Sequence, residues 1–146
     1  MIKIMTASPR ETEELGAKIA AVLKGNEMIA LFGDLGAGKT AFTRGLCKGL
    51  DISDGVSSPT FAIVNVYNGR FPVYHFDMYR IADADDLFAT GYYDYIGNGV
   101  IVIEWSENIE SELETDAIRI RIGKTEHEDH RVFEIEGLDH YADIIR

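Results

Sequence analysis

Eight consecutive residues, Gly33, Asp34, Leu35, Gly36, Ala37, Gly38, Lys39 and Thr40, satisfy the pattern GxxxxGK[ST] at every fixed position. Glycines at 33, 36 and 38 free the backbone to curl until successive N–H groups face inward as an anion-binding nest. Lys39 is long enough to reach β- and γ-phosphate oxygens, and the Thr40 hydroxyl can coordinate Mg²⁺. A helix starting here adds the positive end of its dipole. The expected ligand is a nucleoside triphosphate with magnesium, cradled from Gly33 to Ala41. No guanine-reading motif such as NKxD occurs, which favours adenine or low base selectivity.

Magnesium chemistry at such a loop needs a carboxylate nearby, commonly at the carboxyl end of a neighbouring strand. Two apolar stretches end in one: 71–77 closes on Asp77 and 100–104 on Glu104. One could hold the metal while the other orients or deprotonates an attacking water. Spacing alone does not say which does which. Between the loop and the first of these acids lies Ser57-Ser58-Pro59-Thr60-Phe61. Thr60 could sense a γ-phosphate as mobile switch segments do. Local sequence favours the plainer reading of a turn set by Pro59.

The elements that must position these groups alternate between strand and helix. Ile2–Met5 reads as a short strand. Ser8, Pro9 and Glu11 have the spacing of a capping box with proline at the first helical position. Leu15, Ile19, Val22 and Leu23 then follow at helical spacing. Glu27–Phe32 is an apolar run suited to a buried strand, and Thr40–Leu50 reads as a helix. Ala62–Tyr67 and Phe71–Phe76 flank Asn68-Gly69, a hairpin signal. Val100–Ile103 is another buried-strand candidate. Ala117–Ile122 and Arg131–Glu136 alternate in hydrophobicity as an antiparallel pair with one wet face, and Leu138–Ile145 closes as a short amphipathic helix. Parallel α/β units followed by hairpins predict a mixed sheet with helices on its faces.

The chain has 146 residues, of which 14 are Lys or Arg and 25 are Asp or Glu, for a formal net charge of −11. This length, with 46% hydrophobic residues and three prolines, fits one domain spanning 1–146 and argues against disorder. No apolar run approaches a membrane span, and the N-terminus lacks the features of a signal peptide. The single cysteine, Cys47, excludes an internal disulfide and suits a reducing, cytoplasmic setting. The acidic balance argues against broad nucleic-acid binding. Ten acidic residues and no Lys or Arg lie between Asp83 and Asp116. A solvated face is the plain account of them, and a docking surface for a basic partner the sharper one.

In combination, GDLGAGKT, SSPTF, HFDMYR and IEWSE resemble the TsaE (YjeE) family, ATPases of bacterial tRNA threonylcarbamoyladenosine biosynthesis. The likeness runs from about Thr12 to Glu107 and includes the intervening stretch with Asp85, Asp86, Gly91, Asp94 and Tyr95. It implies a phosphate-loop α/β fold of three layers, α/β/α, with a mixed central sheet. It also implies ATP hydrolysis, weak alone, that resets a TsaB–TsaD complex as it transfers threonylcarbamoyl to adenosine 37 of tRNA. tRNA would then be met only through that complex. By position, Lys39 and the glycines match the family's phosphate loop, Thr40 and Glu104 its metal-associated groups, and Asp77 an aspartate needed for hydrolysis. Thr60 matches the switch-like threonine, and Thr12 a threonine placed near the adenine.

Ala41 replaces a threonine common after GKT, and Ser111–Asp116 replaces a frequent Leu-Pro. The C-terminal third matches weakly. Other residues invite plainer readings. His127 and His130 suit an exposed hairpin turn, His75 a hydrogen-bonded structural histidine, and Cys47 a buried apolar position. Tyr92, Tyr93 and Tyr95 suit core packing or an interface. Two further functions are compatible with the loop. One is a small-molecule kinase, against which the missing arginines of 83–116 weigh; the other is a nucleotide-gated binding module that does not hydrolyse.

Overall fold

In the computed structural model, which describes residues 1–33, 38–52 and 64–146, the strands are β1 Ile2–Thr6, β2 Met28–Phe32, β3 Val64–Asn68, β4 Pro72–Asp77, β5 Val100–Glu104, β6 Ile118–Lys124 and β7 Arg131–Glu136. The helices are α1 Pro9–Ala20, α2 Lys39–Gly49, α3 Ala84–Ala89, α4 Tyr92–Tyr95 and α5 Ala142–Ile145. Two 3-10 segments, Ser106–Glu112 and Asp139–Tyr141, complete the set. The predicted closing helix is thus divided: a 3-10 turn leads into a single α-turn.

The N-cap forms as the sequence demands, with the reciprocal glutamate bond falling one residue before the cap. Ser8 Oγ accepts the Glu11 N–H at 3.2 Å, and Glu11 reaches back to accept the Ala7 N–H at 3.3 Å. Pro9, at the first helical position, has no N–H to leave unsatisfied. The β3–β4 hairpin is present, with Asn68 opposite Pro72. Its connection, 69–71, has the expected length of three residues but is shifted by one from the expected 68–70, and the Arg70 N–H donates to the Leu50 carbonyl at 2.7 Å. The first residues predicted for β3, Ala62 and Ile63, lie outside the described residues.

The seven strands are ordered β1-β7-β6-β2-β5-β4-β3. The central four, β6, β2, β5 and β4, are parallel, β7 and β3 run antiparallel to them at the two sides, and β1, antiparallel to β7, returns to the central direction. Strands β2 and β5 are buried along their whole length, as strands covered on both faces must be. Ile29 and Leu31 of β2 and Val100 and Val102 of β5 pack under α1 and α2 with Leu15, Ile19, Phe42 and Leu46. Met28, Ala30, Phe32, Ile101 and Ile103 face the opposite layer, with Leu87, Tyr92, Ile109 and Leu113. The expected three-layer α/β/α architecture with a mixed sheet is therefore present. Among the described residues no helix is long and apolar enough to cross a membrane.

Helices α1 and α2 interlock through glycine. A Cβ at Gly45 would lie 2.0 Å from the Glu13 carbonyl oxygen, and one at Gly16 would lie 2.5 Å from that of Phe42. Only hydrogens fit between these backbones, so α2 is held at a fixed distance from α1. Arg44 and Glu13 add an ion pair at 3.3 Å across the same junction.

Candidate nucleotide site at the strand ends

Because β2, β5 and β4 are parallel neighbours, their carboxyl ends lie side by side at one rim of the sheet. Gly33 leaves β2, Glu104 ends β5, and Asp77 ends β4 directly opposite Glu104 in the register. Helix α2 begins at the same rim. Gly38 caps it with φ of 104°, a left-handed conformation that suits glycine, and, having no side chain, makes no side-chain cap hydrogen bond. No acidic residue stands in its first turn. The amides and the helix dipole are thus left for an anion.

Lys39 is 5% exposed. Its Nζ donates to the Gly33 carbonyl at 2.6 Å and sits 4.4 Å from the centroid of the Trp105 ring. No carboxylate is within ion-pair distance of this ammonium among the described residues. A buried cation resting on a carbonyl and an aromatic face is electrostatically incomplete, and an anion entering at Gly38 would complete it. The Gly33 N–H is also engaged, donating to Glu107 at 3.1 Å. The start of the loop is therefore fastened at both ends of one residue. Trp105 itself takes a left-handed backbone, φ 60° and ψ 42°, which a non-glycine residue adopts at a cost of about 1 kcal/mol. Tyr79 stacks on its ring at 4.8 Å.

Glu104 is also buried, 5% exposed, and its Oε2 lies 2.7 Å from Nε2 of His75. Asp77 is half-buried and accepts the Tyr79 N–H at 3.0 Å, which fixes the carboxylate at the strand end. No cluster of three or more metal-ligating side chains occurs among the described residues. Thr40 lies in the first turn of α2.

Of the remaining predicted site residues, Thr12 is buried on α1 with its hydroxyl 2.8 Å from that of Thr6. Ala41 is in the first turn of α2. Asp34, Leu35, Gly36, Ala37 and Thr60 lie outside the described residues. The His75–Glu104 pair, the Glu107 contact and the Lys39–Trp105 stack were not read from sequence. The one available signal was that His75 and Asp77 alternate onto the same face of one strand. Cys47 is buried as expected, and desolvation pushes its thiol up to about 11. Tyr92 is in the core, whereas Tyr93 is exposed. His127 is exposed with its ring 4.4 Å from that of half-buried His130. The acidic stretch is not wholly without basic neighbours, since Arg121 pairs with Glu110 at 3.8 Å.

A mixed sheet whose parallel centre brings a glycine, a helix N-terminus and two acids to one rim, with helices on both faces, defines a three-layer α/β/α fold. The family model for threonylcarbamoyl adenosine biosynthesis protein TsaE matches residues 6–133, and the chain belongs to that family. Among curated relatives, the tRNA threonylcarbamoyladenosine biosynthesis protein TsaE of Bacillus subtilis is 42% identical over 132 residues, covering 87% of this chain and 82% of that protein. Its namesake in Treponema pallidum is 38% identical over 122 residues, covering 83% and 90%. A crystal structure of Bacillus subtilis YdiB superposes with a TM-score of 0.73 at 33% identity, covering 99% of this chain and 90% of that one.

Proposed function

We propose that this chain is a magnesium-dependent ATPase that supports threonylcarbamoyl transfer to adenosine 37 of tRNA, acting with TsaB and TsaD in the cytoplasm. The observation that carries the ATPase reading is the buried Lys39 ammonium at the start of α2, without a carboxylate partner among the described residues and beside uncapped helix amides. The names of the relatives supply the pathway.

In this reading Lys39 leaves the Gly33 carbonyl for β- and γ-phosphate oxygens, and the loop from Gly33 to Ala41 wraps the polyphosphate. Magnesium, held by the Thr40 hydroxyl and Glu104, would neutralise charge on the phosphates. Asp77 orients the attacking water. Thr60 meets the γ-phosphate side, and Thr12 stands towards the adenine after parting from Thr6. The TsaB–TsaD complex supplies the surface that raises the slow intrinsic turnover.

The test is ATP turnover and tRNA modification by the protein with purified TsaB and TsaD. Phosphate release should need Mg²⁺ and exceed background only with both partners present. Asp77→Asn should retain ATP binding and lose both turnover and modification. Absence of turnover in the wild-type mixture would overturn the reading. Intact modification by Asp77→Asn would favour a nucleotide-gated module that does not hydrolyse. Phosphate found on an added metabolite, and not in water, would point to a kinase.

A further inference from the structure

His75 sits in mid-strand on β4 with its ring 1% exposed, on the same sheet face as Asp77. Its register partner on β5 is Val102, so Glu104 is its diagonal neighbour one pleat further along. The Nε2–Oε2 distance of 2.7 Å is that of a charge-assisted hydrogen bond. Nδ1 is buried with no hydrogen-bond partner among the described residues. Leaving such an atom unpaired is costly, and an apolar side chain at this strand position would avoid that cost. The nearest aromatic ring, Tyr67, lies at 6.4 Å between centroids and makes no demand for an imidazole. Core packing therefore does not account for histidine here, whereas the bond to Glu104 does.

That bond fixes the tautomer. Donation to a carboxylate oxygen requires the proton on Nε2, and the neutral ring then presents Nδ1 as a bare acceptor. A glutamate has three side-chain torsions, and immobilising them opposes metal binding. A hydrogen bond present before the ligand arrives removes that cost from the binding step. Groups that orient a metal ligand from behind act in this way and change metal affinity about 10–100-fold when removed.

We propose that His75 is a positioning residue. Through Nε2–H it holds the Glu104 carboxylate in the orientation that receives magnesium, so that this site prefers the metal–nucleotide complex to free nucleotide. The inference rests on the ATPase reading and goes beyond it by assigning the metal preference to a residue that touches neither nucleotide nor metal.

The test compares His75→Leu, which removes the donor, with His75→Gln, whose amide N–H can replace it. ATP affinity in EDTA is measured by calorimetry, and Mn²⁺ affinity of the protein–ATP complex by electron paramagnetic resonance. His75→Leu should keep its metal-free ATP affinity and lose Mn²⁺ affinity about tenfold or more. His75→Gln should restore most of that loss. Unchanged Mn²⁺ affinity in His75→Leu, or equal losses in both variants, overturns the inference. Should His75→Leu fail to fold, His75→Asn replaces it, because its shorter amide falls short of Glu104; equal Mn²⁺ affinity in the Asn and Gln variants again overturns the inference. Wild-type protein that binds no ATP overturns the ATPase reading and this inference together. Wild-type protein that binds Mn²⁺–ATP beside indistinguishable variants overturns the inference alone.

Discussion

Lys39→Met separates two quantities, the stability of the free protein and the extra stability that nucleotide adds. In the free protein the ammonium gains a hydrogen bond to Gly33 at 2.6 Å and the face of Trp105 at 4.4 Å. A hydrogen bond to a charged group is worth about 1.5–3 kcal/mol and a desolvated cation–π contact about 2. Against them stands the desolvation of a cation that is 5% exposed, an effective penalty of several kcal/mol. These terms nearly cancel, and methionine fills a similar volume without either. Stability of the free protein in urea should therefore change by no more than about 1 kcal/mol, in either direction. Nucleotide binding should behave differently. A lost phosphate contact worth about 2.7 kcal/mol lowers affinity roughly a hundredfold. MgATP at about a hundred times the wild-type Kd stabilises wild-type protein by about 2.7 kcal/mol. The same concentration should stabilise the variant by only about 0.4 kcal/mol. Urea unfolding with and without MgATP, followed by circular dichroism, reads both quantities. A free-protein loss of 3 kcal/mol or more, with the nucleotide increment unchanged, would show that Lys39 braces the fold and does not await an anion.

Other consequences follow from burial and charge. Gly45→Ala gains about 1 kcal/mol of helix propensity, but its methyl would lie 2.0 Å from the Glu13 carbonyl oxygen. Net destabilisation of about 2–3 kcal/mol should lower Tm by roughly 5–10 °C in scanning calorimetry; an unchanged Tm would refute the interlock. Cys47 is protonated in the fold up to about pH 11, against 9.0 ordinarily, so the unfolded chain releases its proton first as pH rises. Its contribution to stability is thus present below about pH 9 and lost towards 11, and thiol labelling at pH 8.5 should follow global unfolding; fast labelling of folded protein would contradict it. If the exposed acids between Asp83 and Asp116 meet basic residues on a partner, association should weaken several-fold from 50 to 300 mM salt in surface plasmon resonance. Salt-insensitive association would remove that face from the interface.

Local order was readable where the cause is local. Ser8, Pro9 and Glu11 announce a helix start because their bonds close within one turn. The apolar run at 28–32 announces a buried strand, and residues 33–40 carry their chemistry in a contiguous pattern. What stayed hidden depends on which strands become neighbours. Asp77 faces Glu104 only because β4 and β5 pair in parallel, and His75 reaches the same glutamate across 29 positions of sequence. The same holds for Glu107 on Gly33, 74 positions apart. Trp105 shows no local signal of its left-handed turn, since glycine or asparagine is the usual occupant of that conformation. The β3–β4 connection is displaced by one residue from the expected 68–70, because Asn68 still pairs with Pro72 across the strands.

The meshing of α1 with α2 constrains where movement can occur. With backbone against backbone at Gly16 and Gly45, neither rod can piston along the other without one carbonyl entering its neighbour. The helix bearing Lys39 is therefore an anvil. In the proposed ATPase, any shift that goes with nucleotide binding would therefore fall to elements other than this helix pair.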